Sequence, residues 1–290
     1  MVASFDYIDQ RIAYFEEATK LNRATPGREG NTVVLTEEIA DEVLIAGDLH
    51  GHRANFRAIL TMANLKNNPM RHLVLQEVCH GGPTYPANGG CMSHGLLEEV
   101  AKLKTEFPKR VHFLLGNHEL SELTDYPIQK GGQMLNLLFR LGMQQMYGAV
   151  TDKVREAFSL FMTSCPVAIR LDNGIFVSHS IPDTAIERRF DVTCLTRKLE
   201  LADYHERTGV FELVWGRDFS QENADAFADL VGADTLITGH EPCPEGIAVP
   251  NDRQVVIDCC SDTAAVALLP LGKRLTQAEI LKCVHPLKKR

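Results

Sequence analysis

Apolar residues in this chain follow two periods. Near the amino terminus Phe5, Ile8, Ile12 and Phe15 recur at helical spacing among polar neighbours. That spacing predicts an amphipathic helix lying on the rest of the protein. Further on the pattern changes to short unbroken runs. Val43-Leu44-Ile45-Ala46, stopped by Gly47, reads as a strand buried on both faces. Similar runs recur at His72-Leu73-Val74-Leu75, Val111-His112-Phe113-Leu114-Leu115, Ile175-Phe176-Val177 and Thr235-Leu236-Ile237. Thr32-Val33-Val34-Leu35, after the turn marked by Gly27 and Gly30, reads as a further strand expected beside the Val43 strand.

Helical spacing fills the gaps between the first runs. Phe56, Ile59, Leu60 and Ala63 line one helix face, and Leu96, Leu97, Val100, Leu103 and Phe107 line another that Pro108 stops. Alternating strand and helix predicts an α/β fold with parallel strands, whose carboxyl ends form the rim where such folds hold ligands. The first strand delivers Asp48 and His50, which share one side because side chains alternate, before Gly51 lets the chain turn. The second ends in Gln76-Glu77-Val78-Cys79-His80-Gly81-Gly82 and the third in Gly116-Asn117-His118-Glu119; the later runs lead to His179 and His240. One histidine after a strand is usually a hydrogen-bonded structural residue. Five strand ends that each supply an oxygen or nitrogen donor favour a metal centre.

Composition narrows the class. At 290 residues, with 44% hydrophobic and 23% charged residues, the chain has the makeup of a globular protein with a large core and no dividing linker. A net charge of −8 and a pI near 5.8 argue against a general binder of nucleic acid or anionic membrane. Only the tail Lys288-Lys289-Arg290 is locally basic, and it reads as a solvated end. No apolar run approaches the roughly 18 residues of a membrane span, and the amino terminus lacks a signal-peptide layout, so a cytoplasmic location is expected. Eight scattered cysteines without a C-x-x-C pair argue against a disulfide framework or zinc ribbon, and most read as small buried apolar residues. The Gly- and Pro-rich segment from Gly81 to Gly95 is expected to be a long loop bordering the rim, since it leaves directly from Glu77.

Gly47-Asp48-Leu49-His50-Gly51, followed at strand-helix-strand spacing by Gly116-Asn117-His118-Glu119, resembles the metallophosphoesterase superfamily and, within it, the PPP-type serine/threonine phosphatases. Leu96 to Glu119, Val154 to His179, Leu213-Val214-Trp215-Gly216-Arg217-Asp218 and Leu236-Ile237-Thr238-Gly239-His240 are similar to that group's motifs, so the resemblance runs from about Val43 to Asp258. It implies a four-layer α/β/β/α sandwich. It also implies one domain over residues 1–290, with residues 1–24 as a helix packed on it and the core motifs in 42–260. The implied activity is hydrolysis of a phosphoester by water activated between two divalent ions, manganese, iron or zinc. Carried over residue by residue, Asp48 and His50 would serve the first ion, Asn117, His179 and His240 the second, and Glu77 would bridge them. His118 would protonate the leaving alkoxide. Arg217 would hold phosphate oxygens, unless it forms a surface ion pair with Asp218 or another acid. The implied substrate is a phosphorylated protein or a small phosphoester, with no nucleic acid or membrane as partner.

Departures from the family pattern are concentrated in the second motif. Gln76-Glu77 stands where the family has Gly-Asp, and the longer carboxylate would need the backbone set back. His80-Gly81 stands where the family has Asp-Arg, removing the aspartate that orients the general acid and an arginine that grips phosphate. Glu119 is retained. Glu241-Pro242 follows His240 in place of a second histidine, as in the PPP-type enzymes. Three functions stay open: a phosphoprotein phosphatase-like hydrolase, a dinucleoside polyphosphate hydrolase with the same ligand set, or a degenerate member that binds a phosphorylated ligand or metal without turnover. His80 in its Gly-rich setting reads as an exposed loop histidine, with proton donor or extra ligand as the alternative. Cys79 reads as a buried thiol, and His52 and His94 as loop histidines without an assigned role.

Overall fold

Alternation within the apolar runs decides which layer each side chain joins. In the strand Glu42–Asp48, Val43 and Ile45 enter a core between two sheets, whereas Leu44 and Ala46 turn to a core shared with helices. The same division holds in Arg71–Gln76, where Val74 faces the opposite sheet and Leu73 and Leu75 face helices. The computed structural model describes residues 2–187 and 189–287; the basic tail at 288–290 lies outside them.

The first sheet runs in the order Val284–Pro286, Ala265–Pro270, Glu42–Asp48, Arg71–Gln76, Val111–Leu114, and its last three strands are parallel. The second runs Arg28–Glu29, Thr32–Leu35, Ala168–Leu171, Ile175–Ser178, Thr235–Thr238, Gln254–Ile257, Ile247–Asn251. Val43, Ile45 and Val74 of the first sheet meet Val33, Ile169, Val177, Ile237 and Val255 of the second in one dry cluster. On the outer faces lie Arg53–Ala63 and His94–Glu106 against the first sheet, and Gln221–Val231, whose Phe227 meets Phe176 edge-on, against the second. This is the expected arrangement of two sheets flanked by helices.

Three expectations need correction. Thr32–Leu35 pairs with Ala168–Leu171 in the second sheet and not with the Val43 strand. Both edges of the Val43 strand are already taken, by Arg71–Gln76 and Ala265–Pro270. His94 opens the helix His94–Glu106, so the irregular segment ends at Ser93, two residues earlier than expected. The amino-terminal helix Phe5–Arg23 buries Ile8, Ile12, Phe15 and Ala18, whereas Phe5 is 74% exposed. Ser4 caps this helix by accepting from the Tyr7 N–H, and each large buried side chain contributes roughly 1.5–3 kcal/mol. No helix among the described residues is long and apolar enough to cross a membrane.

The two sheets approach each other tightly at Gly47, where a Cβ would lie 1.8 Å from the Ile257 carbonyl oxygen. Only glycine fits there. Next to it Asp48 and Asp258 form a parallel bridge between the two sheets. The carboxyl ends of strands from both sheets therefore open onto one shared rim.

Candidate functional site

Glu77 stands at the centre of that rim. It is 1% exposed and its backbone is left-handed, with φ +39°. One carboxylate oxygen lies 3.2 Å from His50 Nε2, and the other lies 3.0 Å from His179 Nε2. Asp48 stands 3.6 Å from His179 Nδ1 and accepts from the His240 backbone N–H. The Asn117 side-chain oxygen lies 2.9 Å from His179 Nε2 and 3.0 Å from His240 Nδ1. All six side chains expected to gather, from Asp48, His50, Glu77, Asn117, His179 and His240, do so. Two triplets, His50–Glu77–His118 and Asp48–Glu77–His179, each place their donor atoms within 4.8 Å of one another. Glu77 is common to both.

Neighbours fix the orientation of these rings. His50 Nδ1 donates to the Cys79 carbonyl at 3.1 Å, which leaves Nε2 directed at Glu77. His179 Nδ1 lies 3.0 Å from the Gln76 side-chain oxygen, and Gln76 donates in turn to the Ala46 carbonyl. Gln76, read from the sequence only as a departure, thus holds a rim histidine. Glu119 accepts from the backbone N–H groups of Val78 and Cys79 and ties the second motif to the third. Gly116 has no room for a side chain, since a Cβ would lie 2.3 Å from a Glu77 oxygen. Gly51, Gly81 and Gly82 pack backbone to backbone: a Cβ at Gly81, where φ is +122°, would lie 2.6 Å from the His50 carbonyl oxygen.

The donor set suits a divalent cation. Asp48 Oδ1, Glu119 Oε2 and His240 Nε2 are buried and have no hydrogen-bond partner among the described residues. Burial raises the Asp48 pKa well above the usual carboxylate range and raises that of Glu77 to about 8, with Glu119 adding repulsion at Glu77. Burial holds His179 and His240 down, favouring the neutral imidazole that binds metal. Buried carboxylates crowded among neutral imidazoles lack one thing, a compensating positive charge.

His118 occupies the other side of Glu77. Its Nε2 is 3.9 Å from Glu77 Oε1, and its ring lies edge-on to His50. Burial, then the surrounding imidazoles, press its pKa downward. Its Nδ1 lies 2.8 Å from His80 Nδ1, and His80 Nε2 lies 2.9 Å from Glu122 Oε1. His80 is therefore not an exposed loop histidine, because its side chain is fully buried under Phe139 and its backbone N–H is held by Ser93. Cys79 is a buried thiol, as expected. His94 is also buried, between Tyr85 and Tyr147, and both it and His80 meet the Phe139 ring. Glu122 escaped the sequence reading entirely. The available signal was its place one helical turn after His118 in the helix Asn117–Thr124.

Arg217 stands at the mouth, 52% exposed and ion-paired with Glu241. Its backbone N–H and that of Asp218 donate to Asp183, which fixes the turn. Of the expected site residues it alone is not packed into the rim.

The calcineurin-like phosphoesterase profile matches residues 42–244. A probable serine/threonine-protein phosphatase of Encephalitozoon cuniculi is 24% identical over 240 residues, covering 77% of this chain and 47% of the relative. The chain thus spans about half the length of that curated relative. Among solved structures, a serine/threonine phosphatase of Saccharomyces cerevisiae, described as similar to human phosphatase PP5, superposes with a TM-score of 0.72 at 15% identity, covering 97% of this chain and 90% of that one. A cold-active protein-tyrosine phosphatase of a psychrophilic Shewanella species gives 0.59 at 13% identity, covering 93% and 84%. At such identities these two likenesses establish the fold.

Proposed function

This chain belongs to the calcineurin-like phosphoesterase family, and from that premise we propose that it is a metal-dependent phosphoester hydrolase of the serine/threonine-phosphatase kind. Its substrate would be a phosphorylated protein or a small phosphoester, and its place of action the cytoplasm. The observation that carries this reading is the Glu77 carboxylate, which presents one oxygen to each of two histidine-containing ligand groups.

Asp48, His50 and Glu77 would hold one divalent ion, and Glu77, Asn117, His179 and His240 a second, with manganese, iron or zinc all suited to such donors. When bound, the ions supply Lewis-acid charge and an activated water for attack on phosphorus. The chain's own groups do the rest. His118 Nε2 faces the rim and would hand a proton to the departing oxygen. Arg217, released from Glu241, would hold phosphate oxygens with its planar donors. Gln76 and the Cys79 carbonyl keep His179 and His50 aimed.

The test is metal content measured together with turnover of p-nitrophenyl phosphate and a phosphoserine peptide, in the native chain and in Asp48→Asn. Two ions per chain, with activity lost in Asp48→Asn, support the proposal. One ion or none, without turnover of either substrate when manganese is added, overturns it in favour of a binding module. Strong preference for a dinucleoside polyphosphate would overturn the substrate class alone.

A further inference from the structure

The second motif lacks the carboxylate that would be expected to touch the acid histidine, yet the space beside His118 is filled. Two ring nitrogens 2.8 Å apart, His118 Nδ1 and His80 Nδ1, can share only one hydrogen. A carboxylate 2.9 Å from His80 Nε2 decides where it sits. Glu122 Oε1 already accepts from the Asn136 amide and accepts from His80 as well, so His80 carries its hydrogen on Nε2 and offers a lone pair at Nδ1. His118 must then donate from Nδ1. Its remaining nitrogen, Nε2, is the one turned to the rim, 3.9 Å from Glu77.

Everything behind this chain of contacts is anchored. Glu122 accepts from the Asn136 side-chain amide at 3.0 Å, and Arg140 stands 3.8 Å from its second oxygen. Asn136 accepts in turn from the Ile128 N–H. His80 has a left-handed backbone with φ +61°, its N–H bound by Ser93. The side chains of His80 and Glu122 are 0% and 4% exposed, whereas His118 keeps 13% at the cleft. A buried, hydrogen-bonded acid–imidazole pair behind an imidazole that reaches the cleft is a device for orienting that imidazole.

We propose that Glu122 and His80 are positioning residues that form a Glu–His–His relay: they hold the His118 Nδ1–H toward His80, so that the second proton His118 takes up from water at the cleft sits on Nε2 and is the one delivered to the leaving oxygen. The inference rests on the hydrolase reading above. In the step, the P–O bond to the leaving group breaks with its electron pair on that oxygen. The Nε2–H bond of the doubly protonated His118 breaks as the new O–H bond forms, its electron pair stays on Nε2, and His118 is left as the neutral Nδ1–H tautomer. The Nδ1–H toward His80 is untouched, so neither His80 nor Glu122 is consumed. Water supplies the oxygen that joins phosphorus.

The test exploits the leaving group, because a general acid matters most when the departing oxygen is basic. In Glu122→Gln and in His80→Asn, kcat on a phosphoserine peptide should fall by at least about tenfold more than kcat on 2,4-dinitrophenyl phosphate, with metal content unchanged. His80→Asp, which puts a carboxylate directly beside His118, should recover part of the loss. In a His118→Asn background, Glu122→Gln should add no further loss. Equal losses on both substrates, or a full additional loss in that background, would overturn the relay and leave a packing role. A second readout is independent of turnover. In protein labelled with nitrogen-15 at histidine, His118 should show the Nδ1–H tautomer, and Glu122→Gln should shift it toward a mixture. An unchanged tautomer overturns the relay even if the protein proves inactive on every phosphoester, the outcome that would sink the hydrolase reading instead.

Discussion

Two buried histidine pairs sit at opposite ends of the same two strands. His72 and His112, on Arg71–Gln76 and Val111–Leu114, lie 2.9 Å apart with stacked rings. His80 and His118 follow the carboxyl ends of those strands at 2.8 Å. The pairing is thus the same in both, but His118 alone keeps exposure at the cleft, and the terminations differ. The first pair ends on the Ile39 carbonyl, near the buried cation of Lys104, and no carboxylate among the described residues hydrogen-bonds it. The second ends on Glu122 at the back and on the rim at the front. A histidine pair between a carbonyl and a cation stays neutral and holds structure; one between a carboxylate and a cleft can move a proton.

The largest effect that would separate the pairs is on catalysis. His118→Asn should lower kcat on phosphoserine substrates by roughly 10²- to 10⁴-fold, the worth of a general acid. His72→Leu combined with His112→Leu should leave kcat at the native value. Steady-state kinetics on both variants decides this, and a rate loss in the Leu pair would break the contrast.

Stability against pH should show the opposite dependence. Burial holds His72 down at about 4 in the folded state, against an ordinary value near 6.5, and holds His112 down as well. The unfolded chain therefore binds more protons between those limits. The contribution is fully present above about pH 6.5 and is lost as pH falls toward 4, on the order of 3 kcal/mol for His72 alone. Urea titrations at pH 7, 5 and 4 should show that limb in the native chain and a flatter one in the Leu pair.

Chelation should touch only one pair. Removing metal present at a hundredfold excess over its Kd should lower stability by about 2.7 kcal/mol and move the His118 imidazole signals. The His72 and His112 signals should stay in place. Smallest is the expected effect at the mouth, where Arg217→Ala should lower kcat/KM by roughly tenfold, about 1.4 kcal/mol of transition-state binding. Because that side chain is 52% exposed, thermal unfolding should be unchanged.

The gathering of Asp48, His50, Asn117, His179 and His240 was legible because each follows an apolar run, and parallel strands align their carboxyl ends. The two-sheet plan was legible for the same reason. Partners set by distant segments were not. Thr32–Leu35 carries no mark of its pairing with Ala168–Leu171, more than a hundred residues away. Glu122 looks like an ordinary polar residue of a short helix, and its partners His80 and, on the helix Leu135–Tyr147, Asn136 and Arg140 show it to be interior. His80 looked exposed because glycines follow it, while Phe139 from that same distant helix closes over it. Gln76 shows its use only beside His179.

The glycine contact beneath His50 closes the turn to any side chain. Any side chain at position 81 would press on the His50 carbonyl, 2.6 Å from where its first carbon would stand, and would do so from a backbone angle of +122°. Restoring the family's arginine there would displace a residue of the rim it was meant to assist. A side chain cannot be introduced at position 81 unless the turn itself reopens. Arg217, at the open mouth, carries no such constraint on its half-exposed side chain.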